Sequence, residues 1–477
     1  MTERLRNATI ANLPASIRRP SFDRRALKPG VVHVGLGAFH RAHQAPVFQA
    51  LAERGDLRWG VVGASLRSPA VRDTLVPQDC LYTLAVDDGA ERGISVVSVI
   101  RDVIVAPEDP ARLVEAIAAP ETGIVTVTVT EKGYDLPRAT LTSPKTTPEH
   151  LAAGLLKRRE RGLRPLTIIS CDNLAGNGSK LRALVREAAN ANDPALGEWI
   201  EQECAFPATM VDRIVPATSE RDIERISAEL GVLDRATVRT DGFWQWVIED
   251  RFAGERADFE SVGVQVTKDI ASWEQAKLRL LNGAHSAMAY LGALAGIETV
   301  DRFVAEGWGR ALVELLWDEV QPTLSPSSEV DPAAYRDSLM ARFRNASLGH
   351  RLMQIAMDGS QKLPQRLVTP AVELIDRGNQ PSAIALVLAA WMHFQSGRSD
   401  AGEKVQVDDP LAATTSRLVS EARNSTDQVT ALLGLDAVFP RRLVADSQFA
   451  ALVASHLDNI RHLGARAAVE HFVEVRV

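Results

Sequence analysis

The sequence predicts two halves of different class, a doubly wound parallel α/β half followed by a mostly α-helical one. Three observations predict it. Short β-rich runs alternate with helical patterns up to about residue 270, and helical periodicity dominates from residue 271. The 477 residues also exceed a single ordinary core, since cores stop growing near ~250–300 residues.

In the first half the strand candidates are Val31–Val34, Trp59–Val62, Ile124–Thr130 and Leu166–Ser170, with helices over 40–54 and 150–160. Strands alternating with helices imply a parallel sheet covered on both faces. Val238-Arg-Thr and Val262-Gly-Val-Gln-Val predict extra strands within 236–266. The second half predicts helices over 271–294, 298–320, 332–343, 365–377, 381–396, 410–422 and 442–463. Loops are expected from Pro322 to Pro332 and from Gly397 to Asp409. The expected domains are 1–270 and 271–477, and an active site between two domains is a common arrangement.

Composition narrows the function classes. A net charge of −7, spread along the chain, argues for solubility and against a nucleic-acid or anionic-membrane partner. Cys80, Cys171 and Cys204 form no disulfide framework and no zinc-site spacing, which fits a reducing compartment. The charged start Met1-Thr-Glu-Arg-Leu-Arg leads into no apolar signal region, and no run reaches the ~18 apolar residues of a membrane span. The chain reads as cytoplasmic.

Val31-Val-His-Val-Gly35-Leu-Gly37-Ala-Phe-His40 is a strand entering a glycine-rich turn and then a helix. Gly35 permits the tight turn, and Gly37 lets the backbone approach a pyrophosphate at the helix N-terminus. His40 stands where a third glycine is usual. Glycine for turn geometry alone is the competing reading; position in the first βαβ unit favours a Rossmann-type dinucleotide site. The carboxylate expected at the end of the second strand is absent from Val61-Val-Gly-Ala-Ser65-Leu-Arg67-Ser68-Pro69. Arg67 can accept a ribose 2′-phosphate or pack on adenine, so NAD is expected with NADP left open. His40 and His43, spaced i, i+3, lack a local ligand set and read as solvent-facing or substrate-side groups, with no metal expected.

Tyrosine–lysine chemistry is excluded, because Tyr82, Tyr134, Tyr290 and Tyr335 are followed four residues later by Val86, Arg138, Leu294 and Leu339. The remaining candidate is Lys277, Asn282 and His285. At ~100° per residue on one α-helix they sit at roughly 0°, 140° and 80°, among apolar neighbours. Burial pushes a lysine toward its neutral form, a competent general base for an alcohol proton. Asn282 is placed to donate to a developing oxyanion, and His285 to orient a hydroxyl. Spacing alone favours the plainer reading of a core helix with a snorkelling lysine.

Lys277-x4-Asn282-x2-His285 resembles the signature of the mannitol dehydrogenase family, the polyol-specific long-chain dehydrogenases. Family-like segments run through nearly the whole chain in order. They are Gly35-Leu-Gly-Ala-Phe-His-Arg-Ala-His-Gln44, Thr128-Val-Thr-Glu-Lys-Gly-Tyr134, Ser170-Cys-Asp-Asn-Leu174 with Asn177-Gly178, and Met210-Val-Asp-Arg-Ile-Val-Pro216. Gln245-Trp-Val-Ile-Glu-Asp250 and Asp358-Gly-Ser-Gln-Lys362 complete the set. The resemblance implies a Rossmann-type N-terminal domain with extra strands and a mostly helical C-terminal domain. It implies Lys277 as general base, Asn173 and Asn282 as the pair holding the substrate oxygen, His285 as a positioning group and Glu274 as a proton exit. Asp212 and Lys362 are implied at the substrate. Gly35, Leu36, Gly37, Ala38 and Phe39, with Arg67 and Glu131, are expected at the cofactor.

Two departures bear on specificity. Ser68 is followed by Pro69 and Ala70 where members with strong NAD preference carry an acid, and Gln354 stands where mannitol-specific members tend to carry arginine. The stretch from His350 to Arg366 and Glu131-Lys132-Gly-Tyr134 resemble fructuronate reductases, the mannonate oxidoreductases. Arg351, Lys362 and Arg366 would supply the cation that a sugar-acid carboxylate wants; surface or cofactor-phosphate cations are the alternative. Thr240-Asp-Gly-Phe-Trp244 departs from both subfamilies. The expected reaction is hydride transfer between a nicotinamide cofactor and a secondary alcohol, leaning to D-mannonate/D-fructuronate. D-mannitol/D-fructose or another polyol is the alternative, and a non-catalytic dinucleotide sensor the distant one. The sequence does not decide the oligomeric state, and a monomer is compatible with it.

Overall fold

The computed structural model describes residues 3–87, 92–129, 131–134 and 140–476. Contacts divide the chain into Met1–Ala271 and Ser272–Val477.

The first unit is built on a parallel sheet. Its strands are β1 (Val31–Val34), β2 (Val61–Ser65), β3 (Tyr82–Asp87), β4 (Arg92–Val97), β5 (Ile100–Val105), β6 (Ile124–Val127), β7 (Thr167–Ser170), β8 (Thr209–Asp212), β9 (Val238–Thr240), β10 (Gln245–Glu249) and β11 (Gln265–Thr267). The central sheet runs β5-β2-β1-β6-β7, all parallel. β1 is buried along its whole length, as a strand covered on both faces must be. The strand order reverses between β1 and β6, which is where such sheets bind ligands. The extra strands form two further sheets, β4-β3-β9 and β11-β10-β8.

Boundaries moved for local reasons. Trp59 forms an isolated antiparallel bridge with Pro29, and the Gly60 amide donates to Lys28 O at 2.8 Å, so pairing with β1 starts only at Val61. β6 ends at Val127 because the Val129 amide turns to the Asp172 carboxylate at 3.2 Å. Thr130 lies outside the described residues. Val262 closes a 3₁₀ turn before Gly263, at φ +88, and the strand follows at Gln265. The segment expected as one helix over 40–54 is two, Ala38–Ala42 and Gln44–Glu53.

The second unit is helical. Gly283–Leu294 is buried on every side, and Ser382–Phe394 at every residue except His393. A helix apolar all round belongs in the centre of a core. The segment expected over 298–320 breaks at Glu306 into Val300–Ala305 and Gly307–Val320. Pro332–Phe343 matches the sequence reading. The segment expected as one α-helix over 271–294 carries a π-helical turn at Lys277–Asn282, and a second such turn spans Pro364–Val368. No helix among the described residues is long and apolar enough to cross a membrane.

Candidate active site

In the first unit, a cleft of about 330 Å³ opens at the C-terminal ends of β1, β2 and β6. Gly35 and Leu36 line it after β1, Ser65, Leu66 and Arg67 after β2, and Thr128 and Val129 after β6. Lys145, Thr146 and Thr147 close it from the start of the helix Thr147–Glu160. Gly35 has φ +96, and a Cβ there would lie 2.1 Å from Thr128 O. Only glycine lets the β1 turn pass so close to β6. The Gly35 and Leu36 amides both donate to Ala64 O, at 2.8 and 3.0 Å. They fix the turn, which leaves Gly37, Ala38 and Phe39 as the amides that open the following helix.

The two histidines of this loop are buried, which corrects the solvent-facing expectation. His40 stacks on His33 with ring centroids 3.5 Å apart. His43 donates from Nε2 to Gln245 O at 2.9 Å and stacks on Phe39. His33 bridges Thr126 Oγ1 and Thr128 Oγ1 at 2.8 and 2.9 Å, locking the end of β6 to β1. Among the described residues, no group of three or more His, Cys, Asp or Glu is placed to hold a metal ion.

Beyond β7, Asn177 ties the chain together: its Nδ2 donates to Asp172 O and Thr209 O, both at 3.0 Å, and its Oδ1 accepts from the Thr209 amide at 3.0 Å. A Cβ on Gly178 would lie 2.5 Å from Phe206 O. The buried Asp172 accepts from Tyr134 Oη at 3.0 Å. These contacts explain most of the motif around Ser170 as structure. They leave Asn173 exposed on the bend and Asp212 buried at the end of β8.

In the second unit the π turn changes the geometry of the Lys277 motif. A turn closed i→i+5 places residue 282 one turn above residue 277, where an α-helix would leave it about 140° round. His285 follows in regular helix, about 60° from Asn282. Lys277, Asn282 and His285 are each less than one-tenth exposed. Neighbours hold the widened turn open. Trp317 Nε1 donates to Leu280 O at 2.9 Å, and Arg279 makes a two-pronged ion pair with Glu373 at 2.7 Å and donates to Thr323 O at 2.6 Å. Asn282 O accepts from Ser286 Oγ at 3.2 Å and from Arg366 Nη1 at 3.4 Å.

Arg366 lies on the second π turn. Pro370 lacks the amide that would bond residue 366 in an α-helix, and the turn closes instead from the Thr369 amide to Pro364 O. The two π turns pack against each other: a Cβ on Gly283 would lie 3.5 Å from Arg366 O. The Asp358-Gly-Ser-Gln-Lys362 segment feeds this turn. A Cβ on Gly359 would lie 2.3 Å from Tyr290 Oη, and Asp409 accepts from the Ser360 amide and hydroxyl at 2.7 and 2.6 Å. Lys362 Nζ then reaches Met357 O at 2.5 Å.

Burial holds the His285 imidazole well below its usual value of 6.5, helped by His350, Arg366, Arg342 and Lys277. It is therefore neutral, and its buried Nε2 and the Nδ2 of Asn282 have no hydrogen-bond partner among the described residues. Buried polar atoms of this kind await a ligand or water. His350, edge-on to His285 at 5.3 Å, is lowered to about 4 by burial and Arg342, and His33 to about 3 chiefly by burial. The folded values lie below the unfolded 6.5, so the unfolded chain binds more protons and acid favours unfolding. Stability contributed by these groups should be full above pH 6.5 and lost as pH falls through about 4 and then 3. Chemical denaturation at a series of pH values checks this, and a flat profile from pH 7 to 4 would contradict it.

The structure thus brings Lys277, Asn282, His285 and Arg366 together. Arg351 is exposed at the start of the helix Leu352–Ala356 and is not among the charges acting on His285. Glu274 is half-buried ahead of the π turn. Glu131 sits in the 3₁₀ turn Glu131–Tyr134, and its side chain lies outside the described residues. Sequence reasoning missed Lys145, Arg342 and His350 as site residues. Lys145 had no motif to mark it. Arg342, next to the buried Phe343 on Pro332–Phe343, read as one cation among many.

A parallel sheet with a cleft at its order reversal, joined to a helical unit bearing a buried lysine–asparagine–histidine cluster, defines a class of dinucleotide-fold oxidoreductases. The chain belongs to the mannitol dehydrogenase family. Residues 29–261 match the mannitol dehydrogenase Rossmann domain and residues 269–461 the mannitol dehydrogenase C-terminal domain. The chain is 38% identical to a D-mannonate oxidoreductase of Escherichia coli, over 96% of this chain and 98% of that protein. It is 36% identical to a mannitol 2-dehydrogenase of Pyricularia oryzae, over 97% of each. The structure of Pseudomonas fluorescens mannitol 2-dehydrogenase in ternary complex with NAD and D-mannitol superposes with a TM-score of 0.90 at 32% identity, covering 99% of each chain. A substrate-free D-sorbitol dehydrogenase gives 0.88 at 30% identity, covering 98% of this chain and 100% of that one.

Proposed function

We propose that this oxidoreductase transfers hydride reversibly between a nicotinamide dinucleotide and a secondary alcohol of a sugar acid or polyol, with Lys277 as the base. The observation that carries the reading is the π turn that stacks Asn282 over Lys277 and sets the neutral His285 beside them. In oxidation, neutral Lys277 Nζ takes the hydroxyl proton as the adjacent C–H hydride leaves. The bound nicotinamide supplies the hydride acceptor. Asn282 Nδ2 donates to the oxygen as it gains charge. His285, neutral, accepts from or donates to a substrate hydroxyl according to its tautomer. Glu274, three residues before Lys277, passes the proton outward. Asn173 and Asp212 are kept as candidates for the substrate oxygen and a neighbouring hydroxyl, as the family resemblance implies. The chemistry uses no metal.

The cofactor assignment rests on the cleft over β1, β2 and β6, lined by Gly35 and Leu36; the amides of Gly37, Ala38 and Phe39, which open the next helix, would hold the pyrophosphate. NAD is the cofactor of the structural neighbour that also holds D-mannitol. The reading leans to D-mannonate/D-fructuronate. It is supported by the buried Arg366, whose guanidinium reaches Asn282 O at 3.4 Å, by the positive field that Arg366 and Arg342 exert on His285, and by the likeness to a D-mannonate oxidoreductase. In this reading Lys362 and Arg351 are further candidates for the carboxylate.

The test is a substrate panel of D-mannonate, D-mannitol, D-sorbitol and D-arabinitol, run with NAD and with NADP. D-mannonate should give the highest kcat/KM. Activity confined to neutral polyols would overturn the carboxylate assignment, and tight dinucleotide binding with no turnover would favour a sensor.

A further inference from the structure

The cofactor cleft carries a second message, which rests on reading it as the dinucleotide site. In a doubly wound sheet the residues that follow the second strand meet the adenosine ribose, and a carboxylate there selects the free 2′-hydroxyl. Here β2 ends at Ser65. Ser65 Oγ donates to Ser68 O at 2.7 Å, so it is occupied in closing the turn. Arg67, exposed on that turn together with Ser68, lines the cleft.

Among the described residues, the charged ones lining the cleft are Arg67 and Lys145, and no carboxylate is among them. Neither cation has an ion-pair partner among the described residues. Described acids in the flanking segments are held by other partners. Arg72 pairs with both Asp73 and Glu108. Glu149 is buried and accepts from the Lys145 and Thr146 amides at 2.8 and 2.9 Å. That last contact fixes the Lys145 backbone at the cleft edge and leaves its ammonium group for a ligand.

We infer that this cleft accepts the 2′-phosphate of NADP(H) as well as NAD(H), with Arg67 and Lys145 as its cationic partners. The carboxylate that would repel a 2′-phosphate is missing, and a guanidinium that grips phosphate with two parallel hydrogen bonds stands in its place. Lys145, also lining the cleft, adds a point charge.

The experiment is direct binding of NAD and NADP to the full-length protein by calorimetry, without substrate, for wild type, Arg67→Gln and Lys145→Gln. The expected Kd for NADP lies within about tenfold of that for NAD, or below it. Arg67→Gln should lower the NADP-to-NAD affinity ratio by about tenfold or more, and Lys145→Gln by about threefold. NADP binding ~100-fold weaker than NAD, or a ratio unmoved by both substitutions, overturns the inference while leaving the cleft as an NAD site. Absence of binding by either dinucleotide overturns the cleft assignment itself.

Discussion

Lys277→Ala should lower kcat for alcohol oxidation by about 10³-fold or more, while dinucleotide affinity stays near that of the wild type. The residue sits at the start of a π turn, one turn below Asn282 and within electrostatic reach of His285. Removing the amine leaves the substrate proton without a base while the oxygen still meets Asn282. The loss should therefore fall on kcat rather than on cofactor binding, because the dinucleotide cleft is built from the first unit. Titration of NAD by fluorescence separates loss of chemistry from loss of cofactor.

The second large effect is expected at Gly35. Its φ of +96 is strained for any L side chain, and a Cβ would sit 2.1 Å from Thr128 O and 2.7 Å from its carbonyl carbon. Both atoms are backbone, so relief requires β1 and β6 to move apart. That shift would strain the His33 bridge to Thr126 and Thr128 and unseat the amides that start the next helix. Gly35→Ala should destabilise the first unit by about 2–4 kcal/mol and weaken dinucleotide binding by about 100-fold or more. Thermal unfolding and NAD titration read the two effects separately. Wild-type affinity in a folded Gly35→Ala protein would show that the turn does not position the cofactor.

Much of the fold was legible because its signals are local. Val31–Val34 followed by Gly35 marks a buried strand and tight turn, and the apolar run Ala383–Met392 marks a central helix. The two accessory sheets were harder to read. β3 and β4 pair antiparallel, and β8 and β10 are short strands whose neighbours come from distant segments. The π turns were not legible from periodicity either. The widening at Lys277–Asn282 depends on tertiary partners, Trp317 on Leu280 O and Glu373 on Arg279, which a 3.6-residue pattern does not encode. Pro364 and Pro370 carried a local hint of the second turn.

The site divides in the same way. Lys277, Asn282 and His285 stand close in sequence; their spacing alone favoured a plain core helix, and the family resemblance singled them out. Arg342 and His350 enter through the field they exert on His285, which only the packed helices create. The motifs around Asn177 and Gly359 point at function but act mostly as braces. Asn177 ties β7 to β8, and Gly359 lets the chain pass Tyr290 so that Lys362 and Arg366 reach their places.

The central claim is that the Lys277 amine is the proton acceptor, and chemical rescue tests it most directly. Turnover of Lys277→Ala with the best substrate of the panel should be measured against added primary amines of graded basicity. Activity should be near zero without amine and restored in proportion to amine concentration, more strongly by the more basic amines. A folded, dinucleotide-binding Lys277→Ala that turns over near the wild-type rate with no amine present would contradict it.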